Sequence, residues 1–342
     1  MREEIMFRTL AFAAAAALSL GAAAAQAQDK VRVSFNPQIY SWLPFFLGID
    51  KGYFKEEKLD VEASTYGGSA LSQIPMLARG DQDIAGMVTG PGFFNQYAEG
   101  FGVKLIASNA HARKGWHDTM WVMVRKDVWD SGKIKSFEDL KGMTVELGPK
   151  GSPVYLTSTQ MIEQAGLKAG DVKTQERLRA VTDALPLFRN KAMDVITMVE
   201  PIVGRLEAEG LAVRWKPSYE VLPWFQESYL AANPKFLSEK RDVTKRFLKA
   251  YFKGVKEITD AGGKWTPDMI ASVAKWSKFP KEVIEKIPGP NHAGQYGKID
   301  LESIERQQKI WMEAGMVKDK RPLSEMVDTS IVEEVRKEMG IK

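Results

Sequence analysis

The chain of 342 residues contains no cysteine. That excludes disulfides, thiolate metal sites, a thiol nucleophile and the lipid-modified cysteine that anchors a lipoprotein. Histidine is nearly as scarce. His111, His117 and His292 do not stand at metal-ligand spacing, so no metal and no cofactor is expected. Charge of one sign is not concentrated: 48 Lys and Arg face 44 Asp and Glu without a long like-charged run, which excludes a nucleic-acid stripe. Beyond residue 27 there is no low-complexity segment or flexible linker. The long apolar run, Leu10 to Ala25, follows Arg8 and ends in Ala25-Gln26-Ala27, the charged, apolar and small-residue parts of a secretory signal peptide cleaved after Ala27, with translation starting at Met1 or Met6. It is too short and too rich in alanine for a membrane span of about 20 residues. An exported protein that does not span the membrane is expected.

What is present is an alternation of strands and helices. Val31, Val33 and Phe35 alternate with polar partners, the two-residue period of a strand, and a polar turn from Asn36 to Ser41 follows. Leu43, Phe46 and Leu47 mark a helix that stops at Gly52, before a second strand in LDVEAST and a third ending at Val88. A helix at Gly92 to Glu99, a strand at Val103 to Ala107 and a buried strand at Met120 to Val124 extend the pattern. Strands joined by helices run parallel, and ligands collect where their C-terminal ends open into loops, here Gln38 to Trp42, Gly67 to Ser69 and Thr89 to Pro91.

A second unit repeats the pattern. Ser136-Phe137-Glu138-Asp139 has the spacing of a capping box, Gly142 ends that short helix, and Thr144 to Leu147 begins a new sheet. Strands at Val172 to Leu178, Val195 to Met198 and Val213 to Trp215 are separated by helices at Val154 to Gln164, Ala184 to Asn190 and Ile202 to Glu209. The stretches from Pro75 to Asp83 and from Pro186 to Asp194 share their spacing, and each leads to Met-Val, at Met87-Val88 and Met198-Val199. Ser228 to Ala232 makes a return strand. The remainder is helical, led by Val243 to Thr259 with its apolar stripe, then Met269 to Trp276, Leu301 to Ala314 and Ile331 to Met339.

The segments GIDKGYFKEEKLDVE, GGSALSQIPMLARGDQDIAG and SFEDLKGMTVELG resemble the periplasmic solute-binding proteins of ABC importers, in the branch that takes up nitrate, sulfonates, taurine and thiamine precursors. The resemblance covers nearly all of the mature chain. It implies an α/β, two-lobe periplasmic binding protein fold of type II, each lobe a mostly parallel sheet flanked by helices, with a hinge between them. The first lobe would hold residues 28–124 and 228–342, the second residues 125–227. It further implies a monomer that captures a small organic solute, expected to be anionic such as a sulfonate or carboxylate, and delivers it to an ABC permease and its ATPase. The rival is an enzyme of the same fold acting on a pyrimidine-like or sulfur-containing molecule. Cysteine-dependent enzymes of that kind have no counterpart residue here, and no nucleophile or acid/base pair is apparent. A module that presents solute to a receptor stays open.

Helix N-termini offer N–H groups and a favourable dipole to an anion. Gly67-Gly68-Ser69 and Gly148-Pro149-Lys150-Gly151-Ser152 precede helices and match the family's ligand loops, which singles out Gly68, Ser69, Lys150, Gly151 and Ser152. A glycine turn before a capping serine is also a common structural device. Among aromatic residues near sheet ends, Tyr40, Trp42 and Trp224 lead, ahead of Phe93, Phe94, Trp116 and Phe225. Gln38, Thr89 and Gly90 complete the expected loops. The charged candidates are His117, Lys150, Glu200 and Glu227. Glu200 occupies the second-lobe counterpart of Thr89, where a carboxylate binds a solute amine or pairs with a protein cation.

Overall fold

The computed structural model describes residues 28–114, 118–168, 170–290 and 296–341, so the expected signal peptide, Trp116, His117 and His292 lie outside the described residues. Ten strands form two sheets: β1 (Asp29–Phe35), β2 (Leu59–Thr65), β3 (Ile84–Met87), β4 (Lys104–His111), β5 (Met120–Arg125), β6 (Thr144–Glu146), β7 (Lys173–Gln175), β8 (Val195–Val199), β9 (Ala212–Pro217) and β10 (Gln226–Ala232). The first sheet has the order β2-β1-β3-β10-β4 and the second β7-β6-β8-β5-β9. β1 runs parallel to β2 and β3, and β6 runs parallel to β7 and β8. The expected parallel strands are therefore present in both units. Each sheet also takes in one antiparallel strand, β10 in the first and β5 in the second.

These two strands lie where the chain passes between sheets, after residues 112–119 and again after residues 218–225. The strand at Met120 to Val124, grouped by the sequence with the first lobe, instead pairs with β8 and β9 in the second sheet. An apolar run identifies a strand buried on both faces but carries no information about which sheet it joins.

The internal echo is a structural equivalence. Asp83 precedes β3 and accepts the backbone N–H of Arg32 in β1 at 2.8 Å; Asp194 precedes β8 and accepts that of Thr144 in β6 at 2.7 Å. Each aspartate also pairs with an arginine of its own sheet, Arg32 at 2.6 Å and Arg125 at 2.8 Å. A residue in the left-handed conformation, Gly80 or Lys191, stands three positions before each aspartate. The capping box at Ser136 and Asp139 is present, opening a short turn at Phe137–Leu140.

The return segment packs on the first sheet. Helix Arg241–Asp260 buries Val243, Phe247, Leu248, Tyr251, Phe252 and Val255 at helical spacing, in one cluster with Val31, Val33, Phe35, Phe45 and Phe46. No helix among the described residues is long and apolar enough to cross a membrane.

Candidate functional site

A cavity of about 140 Å³ lies between the sheets and is lined from both. From the first come Asn36, Ile39, Ser41 and Trp42 after β1, Tyr66 to Ala70 in part after β2, Gly86 and Met87 at the end of β3, and Glu227 at the start of β10. From the second come Pro149 to Val154 in part after β6, Leu178 and Val181 after β7, and Val199 closing β8. Apart from Glu227, at the start of antiparallel β10, these residues stand at the C-terminal ends of the parallel strands, where helices and strands leave an opening. The lining is mostly apolar, and among the described residues it includes no lysine or arginine.

The first wall is built around Trp42. Its indole lies across Gly86, where a Cβ would stand 2.4 Å from Cζ2, so glycine in β3 is what admits the ring. Asn36 Oδ1 accepts the Gln38 N–H at 3.0 Å, which closes the turn and leaves the Asn36 amide nitrogen as a donor. Ser69 caps the turn that starts at Ala70 by accepting the Leu71 N–H at 3.3 Å. Ser152 does the same for helix Pro153–Gln164 with the Tyr155 N–H at 3.2 Å. Both hydroxyl protons stay free of that role, since a serine oxygen accepts while its O–H donates.

The second wall is fixed by a buried carboxylate. Glu146, at the end of β6, accepts from Gly148 N–H at 3.2 Å, Arg177 N–H at 2.9 Å and Leu178 N–H at 3.1 Å. It thereby ties the loop after β6 to the loop after β7. Those three donors satisfy a carboxylate that burial alone would penalise.

The two crossings meet beneath the cavity. Asp118 accepts from Ser218 Oγ at 2.8 Å, Tyr219 N–H at 2.9 Å and Met120 N–H at 3.2 Å, joining one crossing to the other. Thr119 Oγ1 donates to Glu227 Oε2 at 2.5 Å. Burial, reinforced by the Asp118 charge, holds the Glu227 carboxyl well above the usual carboxylate range. Burial raises Asp118 too, but its three donors favour the ionised form, so Glu227 is raised the further of the two. Glu227 Oε1 is buried with no hydrogen-bond partner among the described residues.

Of the residues singled out from the sequence, Trp42, Gly68, Ser69, Ser152 and Glu227 line the cavity. Gly90 and Gly151 meet each other instead: a Cβ on Gly90 would stand 2.1 Å from the Gly151 carbonyl oxygen, and one on Gly151 2.7 Å from Pro91 Cδ. They let the lobes touch at the cavity rim. Thr89 is buried and turned away, its hydroxyl donating to Gln307 Oε1 at 2.6 Å and its backbone carbonyl accepting from Trp311 Nε1 at 3.1 Å. Tyr40 packs edge-on against Trp265 in the core, where burial pushes its phenol well up. Glu200 pairs with Arg214 at 2.5 Å and accepts the Gly204 N–H at 3.0 Å, so its partner is a cation of its own sheet. Trp224 lies under the Arg306 guanidinium and against Phe225, Lys150 is exposed, and Gln38 stands behind Asn36. His117 lies outside the described residues.

The two glycine-serine loops are not topological counterparts. Ser69 follows the second strand of its sheet, so its equivalent is the turn at Ala180, while Ser152 follows the first strand, as Asn36 to Trp42 does. Tyr66, Asn109, Thr119, Leu178 and Ser228 also line the cavity and were not singled out. Asn109 lies past the strand expected at Val103 to Ala107, in the part of β4 that the sequence pattern did not reach. Leu178, an apolar residue among many, carried no signal.

The matched family model, NMT1/THI5 like, spans residues 40–261. A curated relative, YtlA of Bacillus subtilis (strain 168), named as a candidate binding protein, is 24% identical over 324 residues, 90% of each chain. The periplasmic aliphatic sulphonate binding protein SsuA of Escherichia coli superposes with a TM-score of 0.68 at 17% identity, over 86% of this chain and 96% of its own. The periplasmic nitrate-binding protein NrtA of Synechocystis PCC 6803 gives 0.71 at 12% identity, over 91% and 89%. The fold is that of the periplasmic binding proteins, and the chain belongs to the NMT1/THI5-like family.

Proposed function

We propose that the protein binds one small organic solute in the cleft between its lobes, in the periplasm, and delivers it to an ABC permease and ATPase without altering it. The observation that carries this is a cavity lined by the strand ends of both sheets, with two chain crossings beneath it. A solute touching both walls stabilises the closed arrangement by its differential contacts. We assign the first lobe to the segments before residue 112 and after residue 225, and the second to residues 120–217. The mostly apolar lining suits a ring-sized solute with few polar groups. It weighs against the anionic solute expected from the sequence, which would rely on neutral donors such as Ser69, Ser152 and Asn36.

A thermal-shift screen of the mature protein against a solute library tests the assignment. A cognate solute at about 100 times its Kd should stabilise by ~2.7 kcal/mol and should be recovered unchanged after prolonged incubation. Stoichiometric or catalytic conversion would replace transport with an enzymatic role.

A further inference from the structure

We propose that Glu227 is the polar anchor of the cleft and selects a solute that presents an N–H donor, on an amidine or amine or on an aminated ring, rather than an anion. The inference rests on the cleft being the solute site. Glu227 is 6% exposed and lines the cavity. Its Oε2 is taken by Thr119 Oγ1, while Oε1 has no partner among the described residues. With Oε2 engaged by Thr119, Oε1 is the carboxyl oxygen whose lone pairs are left unpaired. A buried acceptor of this kind is satisfied by a donor and repels a carboxylate or sulfonate.

The surroundings favour the same class. The titratable and charged groups whose fields couple to this corner are Asp118 on the first crossing, Tyr40 after β1, and the Glu200–Arg214 pair of the second sheet. Arg214 is engaged by Glu200 and Glu207, so it is not free to neutralise an anion in the cleft. Trp42 supplies a ring face, and the cavity volume is close to that of an engineered apolar cavity of about 150 Å³ that admits benzene. Glu227 opens β10 directly after one crossing, and Thr119 ends the other. A donor bound to Glu227 would therefore tie the solute to both hinge segments.

Four one-ring probes test this by calorimetry: benzamidine, cationic with N–H donors; 2-aminopyrimidine, neutral with N–H donors; benzoate, an anion; and pyrimidine, with no N–H. At least one N–H probe should bind about tenfold or more tightly than benzoate and pyrimidine. Glu227→Leu should erase that preference while unfolding stays cooperative. Glu227→Gln keeps an acceptor but cannot ionise, so loss of benzamidine binding identifies a cationic group, and retained 2-aminopyrimidine binding a neutral one. Benzoate binding as tightly as the N–H probes, or a preference that survives Glu227→Leu, overturns the role of Glu227. Closure of the lobes around a library solute without an N–H donor would overturn it too, while leaving the cleft as the solute site. Failure of all four probes and of the library to close the lobes would count against both.

Discussion

The two sheets are built alike and differ where they meet. Asp83 and Asp194 hold equivalent strands by the same backbone bond, each with an arginine beside it. The loops after the first strands have diverged: Asn36 to Trp42 supplies an amide and an indole, whereas residues 147–152 supply a serine-capped helix start fixed by Glu146. After the matching Met-Val pairs, Thr89 bonds to the return helix and Glu200 to Arg214. The shared features hold strands in place, and the differing loops after the first strands line the cavity. The buried acids Glu146 and Glu227 sharpen this contrast. Glu146 is enclosed by backbone donors and shapes a wall; Glu227 retains an unused oxygen at the cavity.

The largest effect on stability is expected at Glu146. Glu146→Ala strands three backbone N–H groups, two of them buried, and hydrogen bonds to a charged group contribute ~1.5–3 kcal/mol each, so urea unfolding should show a loss of about 3 kcal/mol or more. Near-wild-type stability would remove the contrast between a wall-building acid and one with an unpartnered oxygen. Gly90→Ala puts a Cβ where the Gly151 carbonyl lies, at the contact between loops of the two sheets. Overpacking of ~1–3 kcal/mol corresponds to roughly 5- to 150-fold weaker solute binding by calorimetry. The melting temperature without solute should move by no more than about 2 °C, because an opened cleft relieves the clash. Asp83→Ala and Asp194→Ala should each cost about 1–3 kcal/mol in urea unfolding. A large difference between the two would break the equivalence of the lobes.

The smallest effect is a pH slope. Glu227 has its carboxyl raised in the folded protein, so its contribution is fully present at and below the ordinary carboxylate range and is lost as pH rises through the raised value. Between about pH 5 and pH 8, the stability of the wild type relative to Glu227→Gln should therefore shift in favour of the variant. A shift in the other direction would mean that Glu227 is ionised and paired in the closed protein.

The sequence exposed what repeats along the chain. Strand and helix periods, the capping box and the Pro75 and Pro186 echo all describe local grammar, and the structure contains each of them. Trp42, Gly68, Ser69 and Ser152 were legible because they lie on loops that adjoin parallel strand ends, and Glu227 because it is a charge beside the return strand. Sheet membership of Met120–Arg125 was not, because hydropathy is the same in either sheet. Nor was the fate of Tyr40, Thr89 and Glu200, whose partners Trp265, Gln307 and Arg214 are distant or separated in sequence. Leu178 and Val181 reach the cavity only because Glu146 holds their loop in place, a contact made across more than thirty residues.

Hydrogen exchange with and without the solute recovered from the library tests the central claim most directly. Occupation of the interlobe cleft predicts slowed exchange in residues 36–42, 66–70 and 149–154 together, from both lobes, with the segment around Trp224 and the helix Leu301–Glu313 unchanged. Protection confined to one lobe, or centred on Leu301–Glu313, would contradict it.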